Sequence, residues 1–198
     1  MANVNAAFGM RPVRHLDGSP WNGKVTQYAV LAANASAIYV GDPVIAAGDS
    51  GAAGVETYGQ DIEGMRAVSV AAAGDTLLGV VVGFSPLQTN LETLHRAAST
   101  ARIAYVCDAP DVIFEIQEDS VGNNITATMV GLNTDIVYTA GSTLTGRSAV
   151  ELDSSGTGTA TAQLRILGLS KHRGNELGAD ANYDVIINEH EFKQTTGL

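Results

Sequence analysis

Short apolar runs, each closed by glycine, proline, asparagine or aspartate, recur along this chain at intervals of roughly eight to twelve residues. That spacing is too short for a helical core and suits strands joined by tight turns. Val25 to Leu31 alternates in part. Ala37 to Val40 leads into the turn Gly41-Asp42-Pro43, and Val44 to Ala47 follows. A Gly/Ala-rich stretch from Gly48 to Gly54 reads as a loop. Arg66 to Val70 and Thr76 to Phe84 read as buried strands on either side of the Gly74-Asp75 turn. Further strands are expected at Ala101 to Cys107, Val112 to Gln117, Ile136 to Tyr138, Thr161 to Leu169 and Tyr183 to Asn188. Ile125 to Leu132 fits a strand and a helix equally. The one helix candidate is Pro86 to Ser99, where Leu87, Leu91 and Leu94 fall at helical spacing. Such a series predicts an all-β sandwich or barrel.

Composition limits what such a fold can do. The chain has 198 residues, of which 11 are basic and 21 acidic, leaving a net charge of -10. A nucleic-acid groove would need clustered Lys and Arg, so this balance argues against direct nucleic-acid binding. One cysteine, Cys107, leaves no internal disulfide framework and no Cys-based zinc site. The opening MANVNAAFGM lacks the pattern of a secretory signal. The run Val68 to Phe84 is too short and too interrupted to span a membrane. Only 16% of residues are charged, against about 25% in ordinary soluble domains, and 28 Ala with 22 Gly make up the difference. The chain is therefore expected to reserve surface for neighbours and not to be a monomer.

Catalytic patterns are weak. His15, His95, His172 and His190 form no metal-binding spacing, and His190, between Glu189 and Glu191, reads as part of a solvated tail. Gly48-Asp49-Ser50-Gly51 copies the letters around a serine nucleophile without a preceding His and Asp, so it reads as a turn. Glu115, Glu118 and Asp119 are the densest carboxylates; without aromatic residues beside them they read as a solvated strand end. No phosphate-cradling glycine loop precedes a helix. No cofactor, no metal and no enzymatic activity are expected.

Residues 1–24 stand apart. They carry Arg11, Arg14 and Lys24 against Asp17 and contain five Gly or Pro residues, yet include Phe8, Met10, Val13, Leu16 and the only tryptophan, Trp21. This composition predicts an extended N-terminal arm packed on its own body or on a partner. Phe8, Met10, Arg11, Arg14 and Trp21 are the candidate partner-binding residues. The β-rich body then runs over 25–192, with possible sub-halves 25–85 and 99–192, and 193–198 form a tail.

The segments NAAFGMRPVRHLDGSPWNG, GDTLLGVVVGF, APDVIFEIQED, GLNTDIV, ELDSSGTGTATAQLRILGL and NELGADANYDVIINEHEF together resemble a family of tailed-bacteriophage virion proteins, the head decoration or structural cement proteins. The likeness runs from about Asn3 to Phe192. It implies a jelly-roll-like or compact β-tulip fold, assembly as a homotrimer or a homodimer, and a position on the outer surface of the capsid. There the protein would bind between major capsid subunits and resist internal DNA pressure, after synthesis in the bacterial cytoplasm. An acidic body, repelled by packaged DNA, suits that outer face. The alternative reading is another virion component, such as a tail or fibre module that binds a host glycan.

Overall fold

The computed structural model describes residues 3–51, 56–57, 60–87 and 90–194. Its strands in chain order are β1 (Arg11–His15), β2 (Thr26–Val30), β3 (Pro43–Ser50), β4 (Glu56–Thr57), β5 (Gln60–Asp61), β6 (Arg66–Val70) and β7 (Gly79–Phe84). They continue as β8 (Arg102–Cys107), β9 (Val112–Gln117), β10 (Asn133–Thr134), β11 (Ile136–Val137), β12 (Glu151–Leu152), β13 (Leu164–Leu169) and β14 (Asn182–Ile187). The protein is all-β, with single turns of 3-10 helix at Ala127–Met129 and Glu191–Lys193.

Two bodies share the core. Strands β2-β6-β3-β7-β8 close into a barrel, antiparallel except where β2 meets β6 at Ala29 and Ala67. Strands β1-β9-β14-β13-β10 form an antiparallel sheet that packs against it. The barrel therefore draws on residues 26–107, and the sheet on 112–187 plus β1.

The sequence of β7 explains how the bodies join. Leu78 and Val81 point into the barrel with Val30, Val44 and Val106. Leu77 and Val80 point the other way, into a cluster with Phe114, Ile116, Tyr183 and Val185 of the sheet. A barrel wall covered on both sides has no polar face to alternate with, hence the unbroken run TLLGVVVGF. On β9, Val112, Phe114 and Ile116 enter the shared core while Glu115 and Gln117 turn to the sheet's outer face. That outer face is not open to water here. Gln117 donates to the Val4 carbonyl at 2.9 Å and accepts from the Ala6 N–H at 2.9 Å.

Several expectations from the sequence are corrected. Residues 86–99 form no helix among those described. The Asn90 side chain accepts from the Glu92 N–H at 3.0 Å, closing a local turn. The carbonyls of Thr93 and His95, which a helix would need, are taken by the Arg102 guanidinium. Strand β3 runs on through Ser50, so Gly48 to Ser50 are strand and not loop; residues 52–55 lie outside the described region. Its register shifts between Ala46 and Ser50, a bulge that carries the strand past the glycine.

His190 is fully buried and not in a solvated tail. Its backbone neighbours bracket Leu77, which donates to the Glu189 carbonyl and accepts from the Glu191 N–H, both at 2.9 Å. Its Nδ1 accepts from the Phe192 N–H at 3.1 Å. Of the expected tail 193–198, only Lys193 and Gln194 are described. The carboxylates of Glu115 and Glu118 are likewise buried and do not form a solvated strand end.

Candidate functional site: a groove built on the N-terminal segment

The expected arm packs on its own body. Residues Gly9 and Met10 dock beside Gly41, with the Met10 N–H donating to the Gly41 carbonyl at 2.8 Å. Met10 is 2% exposed and belongs to the shared core. Strand β1 then adds to β9, and its outer edge is folded under by Trp21, whose N–H reaches the Val13 carbonyl at 3.2 Å.

A bulge in β1 decides where the two arginines go. In a regular strand Arg11 and Arg14, three residues apart, would face opposite ways. The register shifts between Pro12 and Arg14, so that both reach the outer face. There Glu115 and Asp184 sit directly opposite each other on β9 and β14, a like-charge pair that would destabilise the sheet. Arg11 pairs with Glu115 and Arg14 with Asp184, the latter at 3.1 Å. The Ser170 hydroxyl, at 3.0 Å, and His172 Nε2, at 3.2 Å, complete the shell of Glu115. The two N-terminal arginines thus neutralise the chain's own carboxylates.

Between this segment and the loop at 142–147 runs a groove of about 510 Å³. Met10, Trp21, Phe8, Val82, Leu94 and Arg147 are among the residues that line it. The Arg11 guanidinium lies 5.1 Å over the Phe8 ring and fixes it on the rim. Four of the five residues singled out from the sequence, Phe8, Met10, Arg11 and Trp21, line this one groove. Arg14 does not; it borders a separate cleft over the outer face of the sheet.

Sequence reasoning misses Leu94 and Thr145 to Arg147 as lining residues. Helical spacing puts Leu94 on a helix, and the only local signal in the other loop is a leucine and an arginine set among Ser, Thr and Gly. Arg147 makes no ion pair among the described residues. An apolar trough with a free guanidinium at its edge can hold an apolar side chain and orient a carboxylate beside it.

Away from the groove, burial has shifted several titratable groups. It raises Glu118 to about 7, helped by Asp119 and Asp180 and opposed by the Ile125 N–H. Burial also raises Asp42 to about 6, against hydrogen bonds from Ser148 and the Tyr39 N–H. His190 goes down to about 4, through burial and Lys193, with Asp108 opposing. By alternation along β9, Glu118 and Glu115 face opposite sides of the sheet, so the acids do not converge on one cleft. No group of three or more His, Cys, Asp or Glu among the described residues is placed to hold a metal ion.

These shifts give a pH prediction. A carboxyl raised in the folded state favours folding below its unfolded value, and loses that contribution as pH rises through the folded one. For Glu118 the window runs from 4.5 to about 7 and spans about 3 kcal/mol. Asp42 acts in the same direction. His190, depressed from 6.5 to about 4, acts oppositely and destabilises as pH falls through that range. Glu118→Gln isolates the first effect. Its stability relative to the parent should rise by about 1–3 kcal/mol between pH 5 and pH 8, read from urea midpoints. A difference independent of pH would show that Glu118 does not titrate there.

Comparison of the chain with protein-family models, with curated proteins and with solved structures finds no match.

Proposed function

We propose that this chain is a head decoration, or structural cement, protein of a tailed bacteriophage. It acts without catalysis, binding the outer surface of the capsid between major capsid subunits and bracing the shell against internal DNA pressure. Further copies of the chain are its second class of partner, and the virion is its location. The reading rests on the resemblance that runs from about Asn3 to Phe192. The observation that carries it in the fold is the open groove lined by Phe8, Met10, Arg11 and Trp21. Trp and Arg set around an apolar pocket are the residue types that anchor protein interfaces. A jelly-roll-like assembly of barrel and sheet, with residues 1–24 as the contact segment, is the finer form of the same reading.

The test uses heads assembled by the phage with this coding sequence deleted. Purified protein should cosediment with them saturably and raise the temperature at which they release DNA. Phe8→Asp should weaken binding by roughly tenfold or more with unchanged circular dichroism. Absence of binding, or an unchanged release temperature at saturation, would overturn the proposal.

A further inference from the structure

We infer that a second copy of this chain docks on the paired loops at residues 90–95 and 142–147, in a two-fold contact that sets Glu92 of each copy against Arg147 of the other. This names the self-contact surface that the proposed function calls for, and in that respect rests on it.

The two loops touch. Gly146 packs so closely on Leu94 that a Cβ at Gly146 would lie 2.4 Å from the Leu94 Cβ. The same two loops carry Leu91, 76% exposed, and Leu144, at 88% the most exposed large apolar side chain among the described residues. Two such leucines on adjoining loops are surface that water disfavours and a neighbour would cover.

The loops are also held in place. The Arg102 guanidinium donates to the carbonyls of Thr93 and His95, and Tyr39 stacks on the His95 ring at 5.0 Å. Arg96 pairs its backbone with Ile38 in both directions, at 2.8 and 2.9 Å. The Ser142 N–H reaches the Arg147 carbonyl at 2.9 Å, closing the second loop. Leucines carried on pinned loops lose little further freedom on association, so their burial is not spent on ordering.

Charge selects the occupant. Glu92 and Arg147 are both without an ion pair among the described residues, on loops that adjoin. A patch carrying one free acid, one free base and exposed leucines is complementary to itself under a two-fold rotation. Two copies each carrying a net charge of -10 repel overall, and opposed Glu92–Arg147 pairs offset that repulsion locally.

Sedimentation velocity of the full chain, from about 1 to 100 µM in about 0.15 M salt, tests the inference. The parent should be a dimer, and Leu91→Asp with Leu144→Asp a monomer with unchanged circular dichroism. Glu92→Arg and Arg147→Glu should each weaken dimerisation roughly tenfold or more, and their combination should return to within about threefold of the parent. A parent that stays monomeric, leucine variants that still dimerise, or a combination that fails to recover would each overturn it. A monomer that still binds heads sinks this surface and spares the cement reading. A dimer that binds no heads does the reverse.

Discussion

Arg96→Met should lower stability by about 3–5 kcal/mol, the largest loss expected from any single change outside the apolar core. Arg96 is fully buried, yet among the described residues no carboxylate pairs with it. Its guanidinium instead holds four main-chain carbonyls. Nε donates to Thr100 at 2.6 Å, Nη1 to Ser36, and Nη2 to both Leu31 and Asn34 at 2.8 Å. Burial draws its pKa down to about 10, so it remains a cation at neutral pH. Methionine fills similar volume but leaves the Thr100 and Ser36 carbonyls without their guanidinium donor, while those of Leu31 and Asn34 keep only the Asn34 and Ser99 N–H groups; hydrogen bonds to a charged group are among the costlier to lose. Lysine should rescue little, because a single ammonium cannot span the planar fork that these carbonyls answer. Urea unfolding checks the magnitude, and tryptic cleavage after Arg102, the one site the variant keeps between residues 90 and 102, should quicken. A loss under about 1 kcal/mol would mean that water replaces the guanidinium.

The second large effect is expected at the junction of Gly9 and Gly41. Gly9 has φ +74° and Gly41 φ +98°, both in the region that side chains avoid. A Cβ on Gly9 would lie 2.5 Å from the Gly41 carbonyl oxygen and 2.5 Å from the Ser148 Cβ; one on Gly41 would lie 2.5 Å from the Phe8 carbonyl oxygen. Backbone meets backbone at this point, so no flexible side chain can yield. Gly9→Ala or Gly41→Ala should cost about 2–4 kcal/mol through strain and lost contact. Met10 is the first core residue beyond the junction, so local release is the expected route. Amide exchange should rise in residues 9–15 before it rises in the barrel, and binding through the groove should fall with it. An effect within about 0.5 kcal/mol would show that the N-terminal segment is not anchored as described.

Much of the strand content was legible because it depends on local chemistry. The runs at Arg66 to Val70, Thr76 to Phe84 and Val112 to Gln117 name their strands through apolar residues bounded by turn formers. The misreadings share one cause. Leu87, Leu91 and Leu94 keep helical spacing, but Arg102, which is distant from that helix's own hydrogen-bond ladder, claims its carbonyls. Glu115 and His190 look like surface residues by type and are buried by partners far along the chain, Arg11 at one and the Leu77 backbone at the other.

The candidate site divides in the same way. Phe8, Met10, Arg11 and Trp21 were visible as apolar and cationic residues in a segment too rich in Gly and Pro to form a regular element. Leu94 and Arg147 were not, since nothing local marks two loops some fifty residues apart in the chain as walls of one groove.

By itself, then, the sequence determined an all-β protein with a distinct, apolar and slightly basic N-terminal segment, because period-two runs, turn residues and composition act over a few residues at a time. Only the tertiary structure decided that this segment joins its own sheet, that Arg11 and Arg14 are spent on Glu115 and Asp184, and that Arg147 is left free. Those outcomes depend on which strands become neighbours and in what register, and a bulge of one residue was enough to change which side chains remain for a partner.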